Sequence, residues 1–578
     1  MRKLGWPRTC LTGWLWAVGS LGFAQNPLLI PDTLSGTTIQ LTVGAGTQTF
    51  FPGFTTPTYG YNGDFLGPTL LLHTGDSVQM QVTNTLNTAT TVHWHGFHVA
   101  PHNDGGPHQV ITAGSTWSPA FKIRNPASTL WYHPHGEGRT ELQVTRGLAG
   151  MAIIRDAVEA TYGLPRHYGV DDFPLILQSK AFDVAYQFAI ASHEDSIMLV
   201  NGTLDPYLDV PAQVVRFRVL NGSTDRTYLL GLSDNAPLYL IASDGGLLSQ
   251  PLTMQRVRIS PGERVELLVP FGGYPVGHQV ALVSYASELP RGIIGADSVG
   301  TSAHPIGEGY YSNPLNGLDF TLVDFHVTAP TANPVTAIPA AFAPVVPLDT
   351  IGLDMGRHIS LSADTAQFGA SAEVDGPFFI MGVAYNADSI NIRTLLGNKE
   401  VWTLTNSTKV AHPFHIHDIQ FTILDINGSP PPPQYAGWKD VILVMPGDTV
   451  RFVGKFETFA DDSMPYMYHC HLLHHEDEGM MGQFLVMNPA TGLESPPSGG
   501  QELRLYPNPA SERISLDLPP SAPGRRYRVI VVDALGHQVH EEWLQDRLDI
   551  DLRGLPAGLY HLRVTGDRAN WIGKFVKM

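Results

Sequence analysis

Leu404 to Phe421 reads LTNSTKVAHPFHIHDIQF, and a counterpart stands far upstream, VTNTLNTATTVHWHGFHV at Val82 to Val99. The likeness continues beyond both stretches. The early copy is followed by LWYHPH (130–135) and RGLAGMAIIRD (146–156), the late copy by YMYHCH (466–471) and GMMGQFLVMNP (479–489). A third, histidine-free version, VLNGSTDRTYLLGLSDNAPLYLI, occupies 219–241. Around these stretches the polarity alternates with period two: Val78, Met80 and Val82 against Ser77, Gln79 and Gln81. That is the pattern of a half-buried strand, not of a helix. Similar runs begin at Val215, Arg264 and Thr449, and the turns Gly75-Asp76, Gly262-Glu263 and Gly447-Asp448 recur at matching places. An internal repeat of strands predicts three related β-domains, with metal chemistry in the first and third.

The bulk numbers agree with this reading. A chain of 578 residues exceeds one ordinary core. Its 58 glycines and 45 prolines suit short strands joined by turns. The formal charge of −18 argues against nucleic acid and anionic membranes as partners. Arg2, Lys3 and Arg8 ahead of the apolar run Leu11–Phe23 read as a secretory signal cleaved after Ala24, with no stable membrane span. Removing residues 1–24 takes away three cations and no acids, so −18 becomes −21, and it removes Cys10, leaving Cys470 as the lone thiol. The expected boundaries are a signal at 1–24, β-domains at 25–160, 161–327 and 348–489, linkers at 328–347 and 490–502, and a small β-module at 503–578.

Ten of the 24 histidines fall in four clusters: His93/His95, His133/His135, His412/His415/His417 and His469/His471/His475. On a strand, residues i and i+2 share a face, so each His-x-His pair aims two imidazoles together. Four pairs supply eight imidazoles, enough for three metals with open positions. Cys470 lies between His469 and His471 and so faces the other way. Two His nitrogens, one thiolate and a weak methionine form the blue-copper ligand set. His412, Cys470 and His475 are its strong ligands here, with Met480 axial. The alternation thus joins a one-electron site to a multinuclear site on the opposite face. A zinc hydrolase is the competing metal reading, but zinc needs only three or four ligands and rarely uses methionine. His98, His102, His108 and His474 read as loop histidines.

With these residues in view, the chain resembles the multicopper oxidases over about 28–488, nearest to the bacterial laccase and cuprous-oxidase branch. HWHGFHVAPHNDGGPHQ, WYHPHGEGRTELQVTRGLAG, NAPLYLIASDGGLL, AGWKD and HCHLLHHEDEGMM carry the likeness. The resemblance implies an all-β chain of three cupredoxin-like Greek-key β-sandwich domains. It implies four copper ions: a type 1 copper on His412, Cys470, His475 and Met480, and a type 2 copper on His93 and His415. One type 3 copper would sit on His95, His133 and His471, its partner on His135, His417 and His469. Asp104 and Glu476 match acidic residues that assist protonation of reduced oxygen. The implied reaction takes single electrons from a small reducing substrate and reduces dioxygen to water. Phenols or aryl amines are the expected donors. Cuprous oxidases of this branch often carry a methionine-rich insert, and from 291 to 380 this chain has only Met355.

The C-terminal module resembles a type IX secretion (Por) sorting domain through LRLYPNPASERISL, LPAGLYHLRV and GKFVKM. That implies a small immunoglobulin-like β-sandwich, the secretion machinery as partner, passage through the periplasm, and delivery outside the cell or onto its surface.

Overall fold

The computed structural model describes residues 25–190, 192–307, 309–489, 500–517, 526–533, 538–545, 549–566 and 569–578. The expected signal peptide, Cys10 and residues 490–499 of the second linker lie outside the described residues. Among the described residues structure is almost wholly strand, and no helix is long and apolar enough to cross a membrane. The chain divides into two compact units between Asn488 and Pro489.

The first unit holds three pairs of sheets over three separate apolar cores. In the first pair, one sheet runs Thr33–Ser35, Thr69–His73, Gly150–Arg155, Ser128–His133, His93–His95. Its counterpart in the third pair runs Ile392–Leu395, Met481–Met487, Tyr466–Cys470, His412–Ile416, Val441–Val444. The last four strands of the first sheet match the first four of its counterpart in order and direction, one parallel contact followed by two antiparallel ones. We label the histidine-bearing strands β1 (His93–His95), β2 (Ser128–His133), β3 (His412–Ile416) and β4 (Tyr466–Cys470), and the two short helices beside them α1 (Thr140–Thr145) and α2 (Leu473–Asp477).

The middle pair of sheets is the same device without histidines. In all three repeats an asparagine ends a strand and its side-chain amide bridges two distant carbonyls. Asn84 reaches Thr88 and Ile111, Asn221 reaches Arg226 and Ile259, and Asn406 reaches Val410 and Val444. Each carbonyl oxygen then accepts from the backbone N–H two residues on. The three asparagines are buried, so these bonds satisfy groups that water cannot reach.

Two expected segments differ in the structure. Asn26–Pro27 pairs with Pro206–Tyr207 of a middle sheet, so the chain starts on the second sandwich before building the first. Residues 328–347 are more than a spacer. Thr328 ends a strand, the Val335 carbonyl accepts from Val214 N–H, and Phe342 is buried with Leu164, Val214, Ile241 and Leu268. Apolar residues inside the Ala/Pro-rich stretch give it something to bury.

The second unit is a five-stranded sheet over a three-stranded one around its own core, including Ile514, Val529, Val531, Leu562, Val564 and Phe575. Its strands include Arg526–Asp533 and Gly558–Gly566.

Candidate metal centre

Strand pairing brings the clusters into register within each sandwich. His133 stands opposite His93 across β2 and β1, and His415 opposite His469 across β3 and β4. Residues directly opposite share a face. Cys470 stands opposite Phe414, and both lie in the apolar core of the third sandwich. The strand rule for i and i+2 applies strictly only to His93 and His95. His135, His417 and His471 each follow the end of their strand, yet their rings stay near their partners at 6.2, 5.0 and 5.4 Å between centroids.

The eight imidazoles meet between the first and third sandwiches. His95 Nδ1 is 3.4 Å from His133 Nε2 and 3.3 Å from His471 Nε2. His469 Nε2 is 3.1 Å from His135 Nε2 and 3.4 Å from His417 Nε2. His93 and His415 each donate Nδ1–H to a backbone carbonyl, of Asp104 at 2.9 Å and Asp440 at 2.8 Å. Their Nε2 atoms are buried and have no hydrogen-bond partner. A buried orphan nitrogen costs free energy unless something binds it. The donors of His135, His417 and His469 lie close enough together to hold one metal ion, as do those of His93 with His415 and His417, of His93 with His95 and His133, and of His95 with His415 and Asp440; His471 joins through His95. Burial first, and then neighbouring imidazoles, hold His93, His95, His133, His415 and His417 in the neutral form that ligation needs; His93 is pushed down to about 3.

Carboxylates stand behind the rings. Asp104 Oδ2 is 2.7 Å from His417 Nδ1, and Oδ1 is 3.5 Å from His93 Nδ1. Burial, helped by Asp418, pushes its carboxyl well above the ordinary range. Glu476, on α2, faces His469 Nδ1 at 3.1 Å and His135 Nδ1 at 3.4 Å, and accepts from the Thr140 hydroxyl of α1 at 2.7 Å. Burial pushes Glu476 up, but His135, His469 and the hydroxyl outweigh it and hold it below its usual value. Asp440 is the residue that sequence reasoning passed over. It meets His95 Nε2 at 3.3 Å, and the only signal was its place in AGWKD, a motif quoted for family likeness rather than chemistry.

The sulfur set is compact. Cys470 Sγ lies 3.5 Å from His412 Nδ1 and 3.7 Å from His475 Nδ1. Met480 is fully buried in the same core; its N–H donates to the His475 carbonyl at 2.8 Å and its carbonyl accepts from Cys470 N–H at 3.0 Å. Phe378 packs on both imidazoles, at 4.8 and 4.4 Å. Burial pushes the Cys470 thiol far up, so a thiolate there needs a cation beside it. His475 is 8% exposed, whereas the other nine clustered histidines are at 0–1%, so of the ten it has the most contact with solvent. The remaining histidines have ordinary partners: His98 with Asp418 at 2.7 Å, His102 with Asp461 at 2.7 Å, and His108 with Gln483 at 2.8 Å. His474 lies 3.5 Å from Glu141 and 3.3 Å from Glu478.

Family models described as multicopper oxidase match residues 42–159 and 359–490, and a secretion system C-terminal sorting domain matches 504–578. The multicopper oxidase mco of Staphylococcus haemolyticus is 33% identical over 452 residues, 77% of this chain and 87% of the relative. The cell division protein FtsP of Escherichia coli is 30% identical over 485 residues, 80% and 93% of the two chains. The solved structure of a laccase-like multicopper oxidase, CueO from Ochrobactrum, described as oxidising lignin model compounds and lignosulfonate, shares 35% identity with a TM-score of 0.69 over 80% of this chain and all of that one. The chain belongs to the multicopper oxidase family, copper-binding oxidoreductases that pass electrons to dioxygen, and it ends in a sorting domain.

Proposed function

We propose that this is a secreted, laccase-like oxidase that takes single electrons from phenols or aryl amines and reduces dioxygen to water. The observation that carries the reading is Cys470, which turns into the core of the third sandwich between two imidazoles that turn outward to the seam. His412, Cys470, His475 and Met480 are the type 1 ligands and His93 and His415 the type 2 ligands. His95, His133 and His471 hold one type 3 ion, and His135, His417 and His469 the other. When bound, the four coppers supply one-electron transfer at the sulfur and four-electron reduction at the imidazole cluster.

The chain's own part is alignment, wiring and proton handling. The exposed edge of His475 meets the donor. Cys470 joins that site through its own backbone to His469 and His471. Asp104 orients His417 and His93 and Glu476 orients His135 and His469; beside the cluster, where water is made, the protonated Asp104 can give a proton and the ionised Glu476 can accept one. The lack of a methionine-rich insert and the similarity to an oxidase of lignin model compounds favour organic donors over cuprous ion. The relatives include a cell division protein, FtsP, as well as oxidases; the clustered His and Cys donors favour oxidation here. The sorting-domain match supports delivery beyond the outer membrane by type IX machinery.

The test is oxygen uptake by copper-loaded protein with a dimethoxyphenol, an aryl diamine, bilirubin and cuprous ion, each with and without added cupric ion. Turnover of the organic donors without added copper is the expected result. Turnover only of cuprous ion, or only with added copper, would make it a cuprous oxidase. A colourless, inert protein would leave a scaffold.

A further inference from the structure

The histidine-free middle sandwich touches the metal centre through one turn, Gly262-Glu263-Arg264, at the start of the strand Arg264–Pro270. Arg264 is fully buried, and its guanidinium grips Asp440 with two parallel bonds, Nη1 to Oδ1 and Nη2 to Oδ2, both at 2.6 Å. Asp440 then holds two imidazoles. Its Oδ1 lies 3.3 Å from His95 Nε2, and its carbonyl accepts from His415 Nδ1 at 2.8 Å. The clamp is braced from behind. Arg264 Nε donates to the Thr129 carbonyl at 3.2 Å, and its backbone N–H donates to Asp244 at 2.9 Å. In the same turn Gly262 has φ +82°, and a Cβ there would lie 2.7 Å from the His471 ring. Only a glycine lets this turn approach so closely.

His95 is the odd member of its cluster. It turns Nδ1 towards His133 and His471, whereas His133, His135, His417 and His469 turn Nε2 inward. Which nitrogen an imidazole offers is set by what its other nitrogen bonds. For His95 that partner is Asp440. Both oxygens of Asp440 are occupied by Arg264, which pins the carboxylate as an acceptor and removes it from competition as a ligand.

We propose that Arg264, acting through Asp440, is the positioning residue that makes His95 present Nδ1 and keeps His415 aligned. The middle sandwich thereby sets the geometry of a cluster to which it gives no ligand. This rests on the trinuclear copper reading above. The bland alternative is a buried cation that only glues two sandwiches, as Arg218, paired with Asp172 and Glu266 of its own sheet, does through the Thr129 hydroxyl of β2.

The experiment compares copper-loaded full-length wild type with Arg264→Lys, which keeps the charge and loses the fork, and with Asp440→Asn, which keeps the shape. Arg218→Lys serves as a seam control. Readouts are copper per chain during dialysis against a chelator, the blue absorption, the near-ultraviolet absorption of the coupled copper pair, and the melting midpoint of the metal-free protein. Arg264→Lys and Asp440→Asn should keep the blue absorption while retention of cluster copper falls about 10–100-fold and the coupled-pair band weakens. Arg218→Lys should lower the melting midpoint and leave both signals. An unchanged band and retention in Arg264→Lys would overturn the proposal. So would a loss at both centres in step with the melting midpoint, since that marks a loosened seam. Should wild type itself take up no copper, the trinuclear reading falls as well; should wild type hold four and Arg264→Lys match it, only this proposal falls.

Discussion

Glu476 bridges two imidazoles that come from different sandwiches, His135 of the first and His469 of the third, so its loss should act on oxygen rather than on colour. Glu476→Gln keeps the shape and the Thr140 bond and removes the charge. Oxygen-limited turnover should fall about 10–100-fold with the blue absorption intact, and wild-type turnover would remove its role. Lys180 gives a pH test away from the ligands. It is buried and donates to the Val144 and Thr145 carbonyls of α1 at 3.3 and 2.9 Å, and burial, partly offset by Glu141, pushes its ammonium down to about 7. From about pH 7 to the ordinary lysine value the unfolded chain carries a proton that the folded one lacks, so this residue's contribution to stability rises with pH. The difference in unfolding free energy between wild type and Lys180→Met should grow between pH 7 and 9 by up to about 1.4 kcal/mol per unit. A flat difference would show that Lys180 does not titrate there. At this scale the candidate ligands could be named in advance because chemistry restricts them to His, Cys and Met at strand spacing. Asp440 was not, because its meaning depends on Arg264, which lies far away in sequence and is near it only after folding.

Two of the four histidine strands, β2 and β4, each carry a tyrosine that lies over a glycine on the next strand. Tyr132 faces Gly150 and Tyr468 faces Gly482, and a Cβ on either glycine would meet the ring at 2.2 and 2.4 Å. The second pair adjoins His469 and Cys470. Gly482→Val should displace Tyr468, cost about 1–3 kcal/mol by denaturant titration, and shift or bleach the blue absorption. Full stability with an unaltered spectrum would show that the ring is not a strut. Elements with clean alternation could be read in advance, including Thr449–Lys455 and Arg526–Asp533. The exchange of Asn26–Pro27 into the middle sheet could not, since two extended residues carry no pattern that names a partner. The shared asparagine was visible in all three repeats, but its role as a bridge between carbonyls emerges only when the distant strand arrives.

Across the whole first unit, the sandwich without histidines is tied to the others by buried charge. Arg216 and Arg218 meet Glu266 and Asp172 of their own sheet, and Arg216 crosses to Glu159 and Arg218 to the Thr129 hydroxyl of the first sandwich, in a network whose charged side chains are at most 1% exposed. Removing one cation strands its carboxylates out of reach of water, so Arg218→Met should cost about 3–5 kcal/mol in chemical unfolding. A cost below about 1 kcal/mol, the level of an exposed pair, would show that water reaches the site. The second unit has its own core, and residues 25–489 expressed alone should reduce dioxygen at the full-length rate. Loss of activity on truncation would give the sorting module a part in the chemistry. The repeat was legible because its strand and turn motifs recur along the chain; the inter-sandwich charge network was not, because its members are scattered singly along the chain. The seam also has a temporal consequence. Its donors run from His93 to His471, so no nascent or half-threaded chain that stops short of His471 contains a complete receptacle. Metallation is therefore a late event in the life of the polypeptide, and a redox-active load is withheld until the third sandwich has closed.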